Sequence, residues 1–515
     1  MRKPNLMFQG TASSVGKSVL VAGLCRILYE EGHKVAPFKS QNMSLNSFIT
    51  EDGKEMGRAQ VMQAEAAGVK PSVLMNPVLI KPTGEMKAQY IIEGEVYKDM
   101  TAMDYHQFKP KLKHKVKEVY EKLEASFDTI ILEGAGSPAE INLREGDIVN
   151  MGMAELVDAP VILIGDIDRG GVFASLAGTM LLLSEEERAR VKGVVINKFR
   201  GDVEILKPGL KMLEDIIKIP VLGVVPYFKL ALDDEDSVSD IFYAQKAKNE
   251  NDLVIKIIRL PYMSNFTDFN ILYSLDGIHV SYAHAKEELK EADLVIIPGS
   301  KNTIKDLNYL KQNGYDECLQ ELKEAGVAIF GICGGYQMLG RMLYNPYYIE
   351  NNIEHMEGLN LLEIDTQFEC EKTTTQVSGC IVNKTGLLKN CKDAYIEGYE
   401  IHMGQTIWQG EGVVPFVEIQ TCLGEKTSRI EGYKAREADV YGTYIHGIFD
   451  QVHFTLAFLK ELAQKRGKME GPIKIRNGYE EDYARFKDHE YTKLANILRD
   501  HLDLEAIKHI LYENE

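Results

Sequence analysis

The chain has 515 residues, a length that predicts roughly two to four domains rather than one small binding module. It carries 59 Lys and Arg against 77 Asp and Glu, which gives a formal net charge of −18. Because nucleic-acid binding depends mainly on Lys and Arg contacts to phosphates, this balance argues against a DNA- or RNA-binding protein. A hydrophobic fraction of 45% and a charged fraction of 26% exclude wholesale disorder.

The cysteines and the apolar stretches favour a cytoplasmic protein with reduced thiols. Seven cysteines is an odd number and none forms a CxxC pair, so neither a disulfide framework nor a zinc site is suggested. The N-terminus lacks the apolar core of a signal peptide. The most apolar long stretch, 160–183, is interrupted by Asp166, Asp168 and Arg169, so we expect no membrane-spanning segment.

Over residues 1–228, short apolar runs alternate with amphipathic stretches. The run 20–28 has helical spacing of its apolar residues. Alternating strands and helices predict an α/β domain with a doubly wound, mostly parallel sheet. The predicted strands are 6–8, 35–38, 129–132, 161–164, 194–196 and 221–225.

The rest of the chain predicts a linker, a second α/β domain and a helical tail. An acidic run at 233–236 and a polar run at 245–251 place the linker at 229–251. The second domain spans 252–453, with β-structure inserted between 355 and 430. Apolar residues at three- and four-residue intervals predict helices within 454–515. The predicted strands of the second domain are 253–258, 294–297, 327–330 and 440–445.

A glycine-rich loop, GTASSVGKS at 10–18, separates the first strand from the first helix. It has one residue more before Gly-Lys-Ser than the usual phosphate-binding pattern. Backbone N–H groups at a helix N-terminus bind phosphate, Lys17 can neutralise its charge, and the Ser18 hydroxyl can hold Mg²⁺. The predicted nucleotide-binding residues are Gly10, Thr11, Ser13, Ser14, Val15, Gly16, Lys17 and Ser18.

Polar residues end three further strands of the predicted sheet. Glu133 follows the strand 129–132, where its carboxylate can reach Mg²⁺ directly or through water. Asp166 ends the next strand in a similar position. Asn197 ends the strand 194–196, and its amide could bind adenine. We therefore predict Ser18 and Glu133 as metal ligands, and Asn197 as a nucleotide contact.

A second candidate site is a thiol on a sharp turn. The run VAIFGICGGYQ at 327–337 predicts a strand, a turn at Cys333 and a helix, with glycines that permit the strained backbone of a nucleophile elbow. A helix N-terminus lowers a thiol pKa and offers N–H groups to an oxyanion. His446 follows another apolar strand and is the predicted base for Cys333.

Both sites resemble known families. The long-form loop and the sequence LEGAG around Glu133 resemble the dethiobiotin synthetase group, which implies ATP-dependent phosphorylation of a carboxylate with Mg²⁺. GICGGYQ resembles class I glutamine amidotransferases, which implies glutamine hydrolysis by Cys333 and His446. Many members carry an acid two residues after the histidine, where this chain has Ile448. The block 398–404 resembles that class too, and there His402 is interpreted as structural or as lining the site.

Three blocks narrow the resemblance to the cobyric acid synthase family: KSQNMSLNS at 39–47, SPAEINL at 137–143 and NKFRGD at 197–202. The resemblance covers nearly the whole chain. It implies amidation of the b, d, e and g carboxylates of adenosylcobyrinic a,c-diamide, with ATP, and with glutamine as the ammonia source. Because the protein is acidic, an anionic corrinoid would need a local basic patch that includes Lys17 and Lys39. Lys39 is also a predicted nucleotide-binding residue.

Two alternatives remain from the sequence. The sibling synthase that amidates the a and c carboxylates has the same two-domain layout, but the KSQNMSLNS block argues against it. A P-loop ATPase switch with an inactive glutaminase-like domain is opposed by the presence of Cys333 and His446. The sequence predicts no nucleic-acid or membrane partner. It leaves open the oligomeric state, the order of amidation, the ammonia route, the corrinoid contacts and the origin of any third triad residue.

Overall fold

The computed structural model describes residues 3–83, 87–232, 249, 251–391, 393–408, 410–468, 473–475 and 483–512. Its Cα positions separate into two units. The first unit contains Met1–Ser44, Glu55–Val238 and Lys487–Glu515, and the second contains Leu45–Lys54 and Ser239–Phe486.

This division differs from the predicted boundaries at two places. The Leu45–Lys54 segment belongs to the second unit although its sequence neighbours belong to the first, and the last part of the predicted helical tail belongs to the first unit. Most of the predicted linker at 229–251, including its acidic run, lies outside the described residues.

The elements up to residue 232 contain every strand predicted for the first domain. The strands are β1 (Asn5–Gly10), β2 (Val35–Phe38), β3 (Gln41–Met43), β4 (Ser47–Ile49), β5 (Glu55–Gly57), β6 (Val78–Pro82), β7 (Lys87–Ile92), β8 (Glu95–Thr101), β9 (Thr129–Glu133), β10 (Val161–Asp166), β11 (Val191–Phe199) and β12 (Val221–Pro226). The helices are α1 (Lys17–Glu30), α2 (Arg58–Ala66), α3 (Ala102–Ser126), α4 (Met151–Leu156), α5 (Val172–Leu182), α6 (Glu185–Arg190) and α7 (Val203–Ile217).

The elements from residue 251 onward follow the same alternation before a long β-rich stretch. The strands are β13 (Leu253–Ile258), β14 (Met263–Ser264), β15 (Leu275–Asp276), β16 (Ile278–Ala283), β17 (Leu294–Ile297), β18 (Gly299–Ser300), β19 (Ala328–Ile332), β20 (Met342–Tyr344), β21 (His355–Glu357), β22 (Ile364–Ile381), β23 (Tyr395–Trp408), β24 (Val413–Cys422), β25 (Glu425–Ala435), β26 (Val440–Thr443) and β27 (Lys474–Ile475). The helices are α8 (Asn270–Tyr273), α9 (Thr303–Gln312), α10 (Tyr315–Glu324), α11 (Gly334–Leu339), α12 (Val452–Lys465), α13 (Tyr483–His501) and α14 (Leu504–Tyr512).

In the first unit, six parallel strands form a sheet in the order β12-β11-β10-β1-β9-β2. Every residue of β1 and β9 is buried, as expected for a parallel sheet covered on both faces. Phe8 of β1 lies opposite Glu133 of β9, so the phosphate loop and Glu133 leave neighbouring strands at the same edge. A separate four-stranded sheet has the order β3-β6-β7-β8. The predicted fold class is confirmed.

The C-terminal helices complete the core of the first unit. Leu20 and Leu24 of α1 belong to the same apolar cluster as Leu494 and Leu498 of α13 and Leu511 of α14. The end of the chain is therefore an integral layer of this unit rather than an appendage.

The second unit has a mixed sheet in the order β16-β13-β17-β19-β26-β25-β24-β22-β20-β21, with β23 paired to β22. The first five strands are parallel and β26-β25-β24-β22 are antiparallel. The predicted β-rich insertion corresponds to β21 through β25. In the described part of the chain, no helix combines the length and the apolar character that membrane crossing requires.

Leu498→Ala is expected to destabilise the first unit. Leu498 is fully buried, and it packs so closely on Gly23 of α1 that a Cβ there would collide with it. Removing the side chain leaves a cavity, and we expect a loss of about 2–5 kcal/mol in the free energy of unfolding.

Hydrogen–deuterium exchange of the α1 amides measures this loss locally. Tryptophan fluorescence would report on the other unit, because the single Trp, Trp408, lies in the second unit. The control is Asp500→Ala, on the exposed face of the same helix, with an expected change within about 0.5 kcal/mol. Equal exchange in both variants would show that α13 does not support α1.

Candidate active sites

The phosphate loop connects the end of β1 at Gly10 to the start of α1 at Lys17. Ser14 and Gly16 have left-handed backbone conformations, with φ of 58° and 91°. A Cβ at Gly16 would also collide with the side-chain amide of Asn197, so two independent constraints favour glycine there. The loop therefore turns directly into the N-terminus of α1, the arrangement that binds phosphate.

Lys17 folds back over the loop from the first turn of α1. Its Nζ donates to the carbonyl oxygen of Ala12 at 3.1 Å and lies 3.5 Å from that of Gly136, in the stretch after β9. The ammonium group thus lies where the loop and the residues after Glu133 meet. This placement suits neutralisation of a bound phosphate.

Glu133 is the centre of a buried polar cluster. Its Oε1 accepts hydrogen bonds from the Ser18 hydroxyl at 2.9 Å and from Lys39 Nζ at 2.7 Å. Burial acts to raise the pKa of Glu133, but the charges of Lys39 and Lys17, with hydrogen bonds from Lys39 and Gln63, hold it below its usual value. The carboxylate is therefore ionised, and the structure brings the predicted residues Ser18, Lys39 and Glu133 together.

Sequence reasoning missed two glutamines of this cluster. Gln63 Nε2 donates to Glu133 Oε2 at 2.6 Å and to the carbonyl oxygen of Ser18 at 3.3 Å, and Gln60 Nε2 lies 3.5 Å from the same carboxylate oxygen. Both side chains lie on α2 and are fully buried. Two amides three residues apart on an otherwise buried helix share one face, and this spacing was the available signal.

The donor set fits Mg²⁺. This cation prefers oxygen ligands and is commonly held by one or two carboxylates together with substrate phosphates. Ser18 and Glu133 supply a hydroxyl and a carboxylate, and the buried Oε1 atoms of Gln9 and Gln63 have no hydrogen-bond partner. Within the described ranges no group of three or more His, Cys, Asp or Glu could hold a metal by itself.

Asn197 and Asp166 are placed differently from each other. Asn197 Nδ2 donates to the carbonyl oxygen of Val15 at 2.8 Å, so this amide supports the phosphate loop. The predicted contact to adenine stays a prediction. Asp166 pairs with Lys198 at 3.2 Å and accepts from the backbone N–H of Asp168 at 2.8 Å. Lys198 in turn donates to the loop carbonyl of Ser14 at 2.6 Å, so this pair also supports the loop.

In the second unit, Cys333 occupies the turn between β19 and α11, with φ of 51° and ψ of −109°. This conformation is costly for a residue with a side chain. The turn is held by the Cys333 N–H, which donates to the Thr443 carbonyl at the end of β26 at 2.8 Å. A Cβ on Gly334 would come within 2.9 Å of Ser300 N, so glycine allows the loop 298–303 to lie against the elbow.

His446 lies three residues beyond β26 and interacts electrostatically with Cys333, whose Sγ lies 3.5 Å from the carbonyl oxygen of Ile401. Its Nδ1 lies 2.7 Å from Asp268 Oδ2, and the Gly447 N–H donates to Asp268 Oδ1 at 3.2 Å. The exposed fractions are 7% for Cys333, 1% for His446 and 4% for Asp268. The three side chains form a buried thiol–imidazole–carboxylate series.

The charge state of His446 follows from this setting. Burial acts to lower its pKa, because the charged form loses hydration. The charge of Asp268 and the interaction with Cys333 outweigh that effect and, with the hydrogen bond to Asp268, raise the pKa of His446 to about 10. The imidazole is thus placed as an acid/base partner for the thiol of Cys333.

Asp268 was not found from the sequence. The usual position for the acid is occupied by Ile448, which is fully buried. Asp268 lies 178 residues before His446, in the short turn Phe266–Phe269. The only local signal is an acidic residue between two phenylalanines in a segment that contributes to the core.

Two further side chains lie close to the elbow. Gln337, in α11, accepts from the Thr303 hydroxyl at 3.1 Å and lies 3.4 Å from the Tyr444 hydroxyl. His402 contacts the Gly404 carbonyl oxygen through Nδ1 at 2.7 Å, and its ring stacks on Tyr444 with centroids 3.8 Å apart. Burial lowers the pKa of His402 to about 3, so it is neutral. These contacts suit a residue that lines the site.

Comparison with known families defines the class of protein. Residues 6–237 match the CobQ/CobB/MinD/ParA nucleotide binding domain, and residues 254–454 match the CobB/CobQ-like glutamine amidotransferase domain. A nucleotide-binding domain is therefore joined to a glutamine amidotransferase domain in one chain.

Similar proteins narrow this class. A protein named cobyric acid synthase from Alkaliphilus metalliredigens is 53% identical to this chain, and one from Clostridium botulinum is 54% identical to it. Each match covers 98% of this chain and 99% of the relative. Another from Caldanaerobacter subterraneus is 51% identical over 98% of both chains. The chain belongs to the cobyric acid synthase family, as its sequence blocks predicted.

Asp268→Asn is expected to lower glutamine hydrolysis and to change its pH dependence. Without the carboxylate charge the pKa of His446 falls, so the imidazolium loses its proton at a lower pH. The alkaline limit of kcat/KM should move to lower pH, with kcat reduced by roughly a hundredfold or more. A pH profile of glutamate formation measures both effects.

The matched control is Asp293→Asn, a buried aspartate of the same unit that pairs with Arg466 and Lys468. The alkaline limit of kcat/KM for Asp293→Asn should equal that of the unmodified protein. An unchanged profile in Asp268→Asn would show that this carboxylate does not act on His446.

Proposed function

We propose that this protein catalyses the ATP- and glutamine-dependent amidation of the b, d, e and g carboxylates of adenosylcobyrinic a,c-diamide. The observation that carries the proposal is full-length similarity to cobyric acid synthases in a chain that retains both candidate sites. The buried series Cys333–His446–Asp268 supports ammonia production, and the cluster around Glu133 supports activation of the carboxylate. We also propose that the substrates are small molecules and that the protein acts in the cytoplasm.

Glutamine hydrolysis begins with attack of the Cys333 thiolate on the side-chain carbonyl carbon. The developing oxyanion is stabilised by backbone N–H groups at the elbow, and the tetrahedral intermediate collapses as His446 gives its proton to the leaving ammonia. Neutral His446 then removes a proton from water, which attacks the thioester and releases glutamate. Asp268 is a positioning residue, because it acts by holding the imidazole and its charge.

Amide formation requires activation, since a carboxylate does not accept ammonia at neutral pH. A carboxylate oxygen of the corrinoid attacks the γ-phosphorus of ATP, ADP leaves, and an acyl phosphate forms. Ammonia then attacks the acyl carbon, loses a proton, and releases inorganic phosphate. Lys17 and Lys39 neutralise phosphate and substrate charge in this step. When bound at Ser18 and Glu133, Mg²⁺ supplies further neutralisation of the phosphate charge.

Cys333→Ser should abolish synthesis with glutamine but leave synthesis with ammonium salts intact. The elbow only generates ammonia, so external ammonia replaces it; the glutamine-dependent rate should fall by roughly a thousandfold or more. The measurement is the mass of the corrinoid product, which decreases by roughly one dalton per amidation. Cys380→Ser, a thiol of the same unit away from the elbow, is the control and should keep both activities.

The reciprocal variant is Lys17→Ala, which should lose synthesis with either nitrogen source while still hydrolysing glutamine. The Lys17 ammonium group neutralises the charge of the phosphate, and this step precedes the use of ammonia. Full glutamine-dependent synthesis by Cys333→Ser would show that this thiol is not the nucleophile.

Labelled substrate tests the acyl phosphate. Corrinoid carboxylates labelled with ¹⁸O should transfer one label to inorganic phosphate for each amide formed, because that oxygen bridges carbon and phosphorus in the intermediate. Mass spectrometry of the phosphate gives the ratio. Label in AMP, or phosphate oxygen derived only from water, would exclude the mechanism. The second result is the one expected of an ATPase switch.

A further inference from the structure

The KSQNMSLNS block is shared between the two units. Lys39 belongs to the first unit, where it contacts Glu133, whereas Asn46 and Ser47 belong to the Leu45–Lys54 segment of the second unit. Sequence reasoning placed only the first residue of the block, Lys39, beside the nucleotide. The structure gives its second half a different set of partners.

The Leu45–Lys54 segment contacts the turn that carries Asp268. The Asn46 side-chain oxygen accepts from the backbone N–H of Phe266 at 3.0 Å, at the first residue of that turn. Asn265, with a left-handed φ of 52°, makes two longer contacts to the Ser47 backbone, both at 3.4 Å. The segment therefore holds the start of the turn from which Asp268 reaches His446.

The same segment contacts Tyr399, which holds His446 in two ways. Tyr399 and His446 exchange backbone hydrogen bonds of 3.2 and 2.9 Å, and their rings are stacked with centroids 5.2 Å apart. The Tyr399 hydroxyl donates to the Ser47 carbonyl oxygen at 2.9 Å and accepts from Asn265 Nδ2 at 3.0 Å. Phe48 packs edge-on against the Tyr399 ring.

We propose that the Leu45–Lys54 segment is part of the glutaminase site, where it fixes His446 and Asp268 through the positioning residues Tyr399 and Asn46. The imidazole must meet both the sulfur and the leaving nitrogen, and small displacements of such a group reduce the rate strongly. The segment reaches the turn that carries Asp268 through Asn46, and it reaches the strand that holds His446 through Ser47 and Tyr399. This inference rests on the proposed glutaminase function and adds residues that the family's sequence signature at the elbow does not contain.

Tyr399→Phe tests the proposal, because it removes the hydroxyl contact to Ser47 and keeps the ring over His446. In the full chain, supplied with ATP, Mg²⁺, corrinoid and glutamine, we expect kcat for glutamate formation to fall by roughly tenfold or more. KM for glutamine should stay within about twofold, since no contact to the substrate is removed. Ammonia-dependent amidation should be unchanged.

Two further variants sharpen the test. Tyr395→Phe is the matched control, because Tyr395 lies on the same strand, is exposed, and donates its hydroxyl hydrogen to Glu397. It should leave kcat and KM unchanged. Asn46→Ala removes the acceptor for the Phe266 N–H. It should lower kcat for glutamine hydrolysis as Tyr399→Phe does, although Asn46 is far from Cys333 in sequence.

Unmodified kcat in both Tyr399→Phe and Asn46→Ala would overturn the proposal. So would equal losses of glutamine hydrolysis and ammonia-dependent amidation in Tyr399→Phe, which would indicate a general role in folding. Failure of the proposed function is a separate result, because it would appear as absent glutamine-dependent amidation in the unmodified protein.

Discussion

Parallel pairing of buried strands is the constraint on which both sites depend. The carboxyl ends of parallel strands meet at one edge of a sheet, and each chain segment must turn there before its helix begins. In the first unit this edge gathers the phosphate loop after β1 and Glu133 at the end of β9. In the second unit it gathers Cys333 after β19 and His446 beyond β26, because β19 and β26 are paired as parallel neighbours.

Both sites contain charges that the fold removes from water, and each charge is matched by specific partners. Glu133 is paired with Lys39 and hydrogen-bonded by Ser18 and Gln63, so it stays ionised despite complete burial. In the second unit Asp268 and the sulfur of Cys333 hold the proton on His446. Removing one partner from such a set leaves a buried charge uncompensated, so single substitutions have large effects.

One stretch of the N-terminal sequence contributes to each of these sets. Lys39 contacts Glu133, and eight residues later Ser47 contacts Tyr399, which is stacked on His446. The polar residues of the KSQNMSLNS block have different roles in its two halves. Lys39 provides charge, whereas Asn46 and the Ser47 backbone provide hydrogen bonds that fix the turn and strand around the imidazole.

The sequence by itself determined the elements whose signals are local: the six strands of the first sheet, four of the five parallel strands of the second, the phosphate loop, the Cys333 elbow, and the positions of Glu133 and His446 at or just after strand ends. Periodicity, glycine placement and motif spacing depend on neighbouring residues, so they can be read along the chain. Only the tertiary structure decided that Asp268 is the carboxylate beside His446, that Gln63 joins Glu133, and that Leu45–Lys54 lies with the second unit. These contacts join residues far apart in sequence, and no local pattern specifies which distant polar side chain satisfies a buried charge.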